Sequence, residues 1–346
     1  MKKVIGIILS CAILCGSFAG CGSKTPAAAS GAAPAASTEP ASQAAASAAA
    51  TTTGTKPKVA FICKSYSDAF CVWVKDEMVK SAKAKYADQF ELVCFDAENN
   101  ANKQIDQINN CVANKFGIIV FQQVDAQAPV AAVKEAVAKG VKVIVTTGHI
   151  DDGGASVYID ASPKQQGSAV AEYAATKLPK NAKVAIIQGP AGNFHANGRE
   201  EGMEAALAKR GDIKIVDKQI GEWKKEKGVT IAQNWLASIP DLDGILCHND
   251  DMALGAYEAV KMAGKEGKVQ IYGVDALAAA VVAVKDGKMM ATVFQNAVSY
   301  SDTSLEYISK LLKGETVKSV NIESDLVTPD NVEKFIDLHK KLGNLK

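Results

Sequence analysis

Gly244-Ile-Leu-Cys-His-Asn-Asp-Asp-Met-Ala-Leu-Gly-Ala256 runs from an apolar, strand-like stretch through a knot of polar side chains into the start of an amphipathic helix. A strand that yields directly to a helix is the unit of a parallel sheet with helical crossovers. In an open parallel sheet the carboxyl ends of the strands face a crevice, so polar groups placed there point at whatever fills it. Gly273-Val-Asp-Ala-Leu277 repeats the arrangement. Asp250 and Asp275 each admit two readings, a helix N-cap or a carboxylate aimed at a ligand. Recurrence of the pattern at other strand ends favours the crevice.

Outward from that stretch, β-branched runs alternate with amphipathic segments from residue 58 onward. Strands are expected over 59–63, 91–95, 117–121, 141–146 and 156–159, then over 182–188, 213–217, 244–247, 269–274 and 291–294. Helices are expected between them, among others over 74–86, 104–114, 130–139, 165–177 and 250–262. The fold class is α/β: two doubly wound, Rossmann-like parallel-sheet lobes with a break near residues 160–162. The last helix, 300–312, follows the second lobe's final strand and is able to return to the first lobe.

Lys2, Lys3, the apolar run 4–14 and the small residues after it describe a signal peptide over 1–20, so the mature protein is expected outside the cytoplasm. Phe18-Ala19-Gly20-Cys21 resembles a bacterial lipobox with Phe in place of the usual Leu, which makes Cys21 a lipidation site. Residues 21–56 are nearly all Ala, Ser, Thr, Pro and Gly and form a low-complexity tether that contains nothing to build a core. The body that follows is larger than a typical single core, again pointing to two lobes.

The whole chain carries 39 Lys and Arg against 38 Asp and Glu. Removing the leader takes two lysines and leaves a net charge near minus one, which argues against nucleic acid as a partner. Of eight cysteines, five lie in the body: Cys63, Cys71, Cys94, Cys111 and Cys247. An odd number in apolar surroundings reads as buried free thiols and not a disulfide framework.

Lys64-Ser-Tyr-Ser-Asp-Ala-Phe70, Asp96-Ala-Glu-Asn-Asn100, Gln188-Gly-Pro-Ala-Gly192, Asn249-Asp-Asp-Met-Ala-Leu-Gly-Ala256, Tyr272-Gly-Val-Asp-Ala-Leu277 and Ala291-Thr-Val-Phe-Gln295 stand in this order along the chain. Together they resemble the type I periplasmic sugar-binding proteins, above all the ribose and galactose/glucose binders, over residues 58–328. The resemblance implies the type I periplasmic binding protein fold, with two lobes joined by three hinge crossings. An N-terminal lobe would comprise 57–161 plus 296–323 and a C-terminal lobe 162–295 plus 324–346. It further implies a carbohydrate enclosed between the lobes on closure and handed to the permease subunits of an ABC transporter, by a monomer without cofactor or metal.

Carboxylates and amides read sugar hydroxyls, and an aromatic face stacks on the C–H face of the ring. By the family pattern Asp68 is a hydroxyl acceptor and Phe70 a stacking wall, although Asp68 also reads as an N-cap and Phe70 as core. Trp223 is the second lobe's stacking aromatic and Arg199 its planar fork of donors. Asn249, Asp275 and Gln295 occupy three successive strand ends.

Departures from the family fall at Thr147, where an Asp or Asn is usual, and at Gly148, where the ribose binder has Arg. His195 replaces a polar or acidic contact, Lys64 fills another ligand-contacting position, and His149 and Asn197 are further candidates for the cleft. A pocket that loses an acceptor and gains cations suits a sugar acid; Lys64 and His195 donating to neutral hydroxyls is the alternative. The spacing of His149, His195 and His248 matches no metal-ligand pattern.

The function expected is an extracytoplasmic solute-binding lipoprotein that captures a monosaccharide or related polyol or sugar acid by hinge closure. A sensory receptor of the same fold, for chemotaxis or autoinducer-2-like signalling, is the alternative. Enzymatic motifs such as Gly-x-Gly-x-x-Gly after a strand, the P-loop, Gly-x-Ser-x-Gly and His-Glu-x-x-His are absent.

Overall fold

The computed structural model describes residues 56–346. The signal peptide expected over 1–20, the lipidation of Cys21 and all but the last residue of the tether expected over 21–56 lie outside the described residues.

The first seven elements alternate strictly: β1 (Lys58–Cys63), α1 (Ala69–Lys85), β2 (Glu91–Asp96), α2 (Ala101–Ala113), β3 (Ile118–Phe121), α3 (Val130–Ala138) and β4 (Lys142–Thr146), and β5 (Val157–Asp160) then follows β4 without a helix between. The second series is α4 (Pro163–Lys177), β6 (Lys183–Gln188), α5 (Phe194–Ala208), β7 (Lys214–Ile220), α6 (Lys225–Ser238), β8 (Gly244–Cys247), α7 (Asp250–Met262), β9 (Gln270–Tyr272), α8 (Ala278–Lys285) and β10 (Thr292–Phe294). The chain closes with α9 (Ala297–Leu312), β11 (Val320–Asn321), β12 (Asp325–Val327) and α10 (Val332–Leu342).

The first sheet is ordered β11-β5-β4-β3-β1-β2 and the second β7-β6-β8-β9, all parallel. β10 runs beside the second sheet through parallel bridges from Tyr272 to Ala291 and from Asp275 to Phe294, and pairs antiparallel with β12. Both sheets are doubly wound about their first strand. The chain turns one way from β1 to β2 and the other way from β1 to β3, just as it does from β6 to β7 and to β8. The carboxyl ends of β1, β3, β6 and β8 therefore border the two switch points where ligands sit in such sheets.

β1 reads Lys-Val-Ala-Phe-Ile-Cys, apolar without a break after its first residue, because helices cover both of its faces. Val59, Phe61 and Cys63 face a core shared with Val74 and Met78 of α1 and Leu305 and Ile308 of α9. Ala60 and Ile62 face Ile108 of α2 and Val133 of α3. In the second lobe Val184 and Ile186 pack with Met203 and Leu207 of α5.

Three segments pass between the lobes: β5 to α4, β10 to α9, and β11 to β12. The helix over 297–312 does return to the first lobe, where the Ser301 hydroxyl donates to the Val74 carbonyl of α1 at 2.8 Å. It is not the last helix, however. α10 follows, burying Val332, Phe335, Ile336 and His339, and packs against α8. α1 begins five residues before the expected 74, since Asp68 accepts from the Cys71 N–H at 3.1 Å and caps the helix there.

The five body cysteines are free; Cys94 is half-buried and the others are buried. Burial raises the thiols, Cys63 to about 12 and Cys71 well above its ordinary value. That keeps them protonated and inert.

Candidate functional site

Strand ends, helix caps and one close helix contact bring the expected residues to one place. Lys64 and Asp68 follow β1, Thr147 follows β4, and Asn249, Asp275 and Gln295 follow β8, β9 and β10. Asn193 caps α5 by accepting from the N–H groups of His195 and Ala196, and so directs His195 and, one turn on, Arg199 inward. α5 approaches α4 closely because residue 167 is glycine; a Cβ there would collide with the Arg199 backbone.

Lys64, Asp68, Phe70, Thr147, His195, Arg199, Trp223, Asn249, Asp275 and Gln295 all line a single cavity between the lobes. Cys71, Gln123 and Asn193 line it too. The cavity is small, about 30 Å³ in volume. His149 and Asn197 are exposed and do not border it. His149 packs on Tyr158, with ring centroids 4.6 Å apart.

Each cation in the cavity has a carboxylate partner. Lys64 Nζ lies 2.8 Å from Asp68 Oδ2 and 5.1 Å from the centre of the Trp223 ring. Burial alone would raise Asp68, but the Lys64 ammonium and the Cys71 N–H outweigh it and hold its carboxyl below the usual range. Burial likewise works against the Lys64 charge, yet the Asp68 carboxylate prevails and raises the ammonium above its ordinary value. The pair is ionised at neutral pH.

Arg199, only 2% exposed, donates from Nε and Nη2 to Gln166 Oε1 at 3.1 and 3.0 Å and from Nη1 to the His248 carbonyl at 2.5 Å. Its Nη2 is 3.7 Å from Asp275 Oδ1, and its guanidinium lies over the Trp223 ring. It is thus buried although Glu200, Glu201 and Glu204 follow it closely in sequence. Asp275 also accepts from the Gln295 amide. Burial still raises its carboxyl well above the ordinary value, with Arg199 opposing the rise.

Arg199 Nη2 sits 3.3 Å from His195 Nδ1, while His195 Nε2 sits 2.9 Å from Asp160 Oδ1. A guanidinium only donates, so Nδ1 must accept and Nε2–H must donate to Asp160. Both ring nitrogens of His195 are therefore engaged within the protein, and the ring alone faces the cavity. Tyr300 completes the cluster, donating its hydroxyl to Asp160 Oδ1 at 3.1 Å and accepting from the Ala161 N–H at 2.8 Å. Gln166 Nε2 reaches Gln295 at 3.4 Å and Ser324 at 3.1 Å, tying α4 to two of the interlobe segments.

The cap readings divide. Asn249, not Asp250, caps α7, accepting from the Met252 N–H at 3.1 Å while its amide donates to the Trp223 carbonyl at 3.3 Å. Asp250 is fully buried and bridges outward, accepting from the Leu277 N–H at 2.9 Å and the Thr292 hydroxyl at 2.6 Å. Asp275 caps nothing, since α8 begins only at Ala278. Asp68 is both cap and cavity wall, and Phe70 is both core and cavity wall, edge-on to Trp73 and Tyr300.

Thr147, Trp223 and Asp275 have φ of +54°, +64° and +129°, backbone conformations that non-glycine residues adopt at a cost. They are three of ten such non-glycine residues among the described residues, the other seven lying outside the cavity lining. Among the described residues no group of three or more His, Cys, Asp or Glu side chains is placed to hold a metal ion. His248 is instead 3.0 Å from Glu200, its Nδ1 accepting the Gly189 N–H at 3.1 Å.

Cys71, Gln123 and Asn193 escape the motif reading. Gln123 was open to the rule that picks out Asn249, for it follows the apolar run of β3. Asn193 announces itself as a cap after Gly192. Cys71 carries no sequence signal of a site.

The sequence pattern of the periplasmic binding protein domain family matches residues 59–316. The D-ribose/D-allose-binding protein of Pseudomonas aeruginosa is 31% identical over 272 residues, covering 76% of this chain and 85% of that protein. Among solved structures, the Caulobacter myo-inositol binding protein bound to myo-inositol superposes with a TM-score of 0.77 at 32% identity, covering 82% of this chain and 100% of that one. An ABC transporter solute binding protein from Bacillus halodurans with bound myo-inositol gives 0.78 at 30% identity, covering 83% and 99%. The chain belongs to this family, as a type I periplasmic sugar-binding protein. It acts outside the cytoplasm as a binding protein and not as an enzyme.

Proposed function

We propose that the protein captures a neutral monosaccharide or cyclic polyol between its lobes by hinge closure and delivers it to an ABC permease. The observation that carries this reading is the pairing of charges in the cavity. Lys64 is paired with Asp68 and Arg199 lies beside Asp275, while both nitrogens of the neutral His195 ring are engaged by Asp160 and Arg199, so no cation is left free for a ligand carboxylate. A sugar acid, which the cations alone had suggested, would have to break one of these pairs. The paired carboxylates and the amides of Asn249 and Gln295 remain suited to hydroxyls, and Trp223 and Phe70 to ring faces.

Seating a six-membered ring requires the lobes to part, because so little of the cavity is open. The lobes proposed are 57–161 plus 296–323 and 162–295 plus 324–346. Contacts made only when both lobes touch the ligand would couple affinity to closure. Affinity is expected near micromolar, about 8 kcal/mol. Lipidation at Cys21 and the low-complexity tether would hold a monomeric body within reach of its membrane partner.

Thermal-shift titration with myo-inositol, D-allose, xylitol, D-ribose and D-glucuronate tests the reading, alongside mass spectrometry of small molecules that copurify with the protein. A neutral polyol should raise the melting temperature and glucuronate should not. A larger shift with glucuronate would overturn the neutral assignment.

A further inference from the structure

We infer that Gln123, together with Gly148, forms a specificity-determining pair in which the Gln123 amide reads two adjacent hydroxyls of the ligand; this rests on the polyol reading above. Gln123 is 2% exposed and borders the cavity, yet neither its Nε2 nor its Oε1 has a hydrogen-bond partner in the protein. A buried amide with both ends unmet is costly. Gln122 leaves only its Nε2 unmet, its Oε1 accepting from the Lys64 N–H at 3.3 Å, and Gln104 meets both needs, donating to the Gln122 carbonyl at 2.8 Å and accepting from the Val124 N–H at 3.0 Å.

Gln123 follows the carboxyl end of β3, beside the switch point of the first sheet, where a ligand in the crevice passes within reach. Its amide offers one donor group and one acceptor about a hydroxyl spacing apart, the complement of a vicinal diol that donates from one oxygen and accepts at the next.

Gly148 explains why the amide can stand there. A Cβ at position 148 would collide with the Gln123 amide, and only glycine leaves the space. Gly148 has no left-handed φ that would demand glycine for backbone reasons. Gly148 thus makes room for an amide arriving from 123, which places a neutral group at this edge of the cavity.

The test is calorimetric titration of the full-length protein and its variants with myo-inositol, D-allose, xylitol and D-ribose. Q123L keeps the volume and removes both polar ends. It should bind the preferred polyol at least tenfold more weakly, while the unliganded protein melts no lower than wild type, because an unsatisfied amide has been replaced by an apolar group. G148A should displace the amide and weaken binding comparably, whereas Q123A/G148A should bind no worse than Q123A.

Q123L binding within twofold of wild type would overturn the assignment while leaving the polyol reading intact. A Q123L protein that binds weakly but also melts lower would place Gln123 in the scaffold instead. If wild type binds none of the four polyols, the polyol reading fails and the diol assignment falls with it.

Discussion

Lys64 and Asp68 show how one pair of residues serves fold and site together. Asp68 caps α1 and neutralises Lys64, and both side chains are nine-tenths buried against the cavity. Removing one partner leaves an uncompensated buried charge, which typically costs about 3–5 kcal/mol. Lys64→Met should therefore lower the melting temperature sharply. Lys64→Met combined with Asp68→Asn should recover most of it, read by chemical denaturation, because Asn still caps the helix. Asp275 is less clear-cut a pair: burial disfavours its charge while Arg199 opposes the rise, so Asp275→Asn should lower the stability of the unliganded protein less than Lys64→Met does. Affinity for the preferred polyol should fall at least tenfold, about 1.4 kcal/mol by titration. At this scale the sequence was highly legible wherever a polar residue followed an apolar strand, as with Asn249 and Gln295. It was misleading wherever charge was counted without geometry. Lys64 and His195 read as donors to a ligand, charged or neutral, and the fold shows their nitrogens engaged by Asp68 and by Asp160 and Arg199.

Among the elements, α7 bears most directly on the second lobe's half of the site. Asn249 caps it and also fastens the Trp223 backbone, while Asp250 in its first turn ties it to the β9–α8 loop and to β10. Burial raises the Asp250 carboxyl to about 7, although Thr292 and the Leu277 N–H favour its charge. A folded-state value above the ordinary one gives stability that is fully present at acid pH and is lost as pH rises through about 7. Asp250→Asn removes this titration. The melting temperature of the variant minus that of wild type should grow from pH 5 to pH 8; a difference independent of pH would contradict the burial argument. Strand and helix identities were legible from the alternation of apolar runs with amphipathic segments. The boundaries moved where a capping side chain sat upstream of the apolar pattern, as at α1. β11 and β12, two and three residues long, carry no periodicity at all. They join elements far apart in sequence, so nothing local specifies them.

For the molecule as a whole, two sheets wound the same way place their switch points against a common gap, and three passages of chain allow that gap to open and close. Cavity-lining side chains come from positions as distant as Lys64 and Gln295, so the site exists only once both lobes have folded. The family's motifs made this architecture readable from six short segments. Residues peculiar to this chain, Gln123 and Gly148 above all, became readable only when the space between them was seen. The most direct measurement is a crystal structure of the protein grown with whichever neutral polyol raises its melting temperature most. The polyol should lie between the lobes, its ring against Trp223 and its hydroxyls within hydrogen-bond distance of Arg199, Asn249 and Asp275. A polyol bound elsewhere on the surface, or an interlobe cavity closed to every polyol while the protein still binds one, would contradict the account.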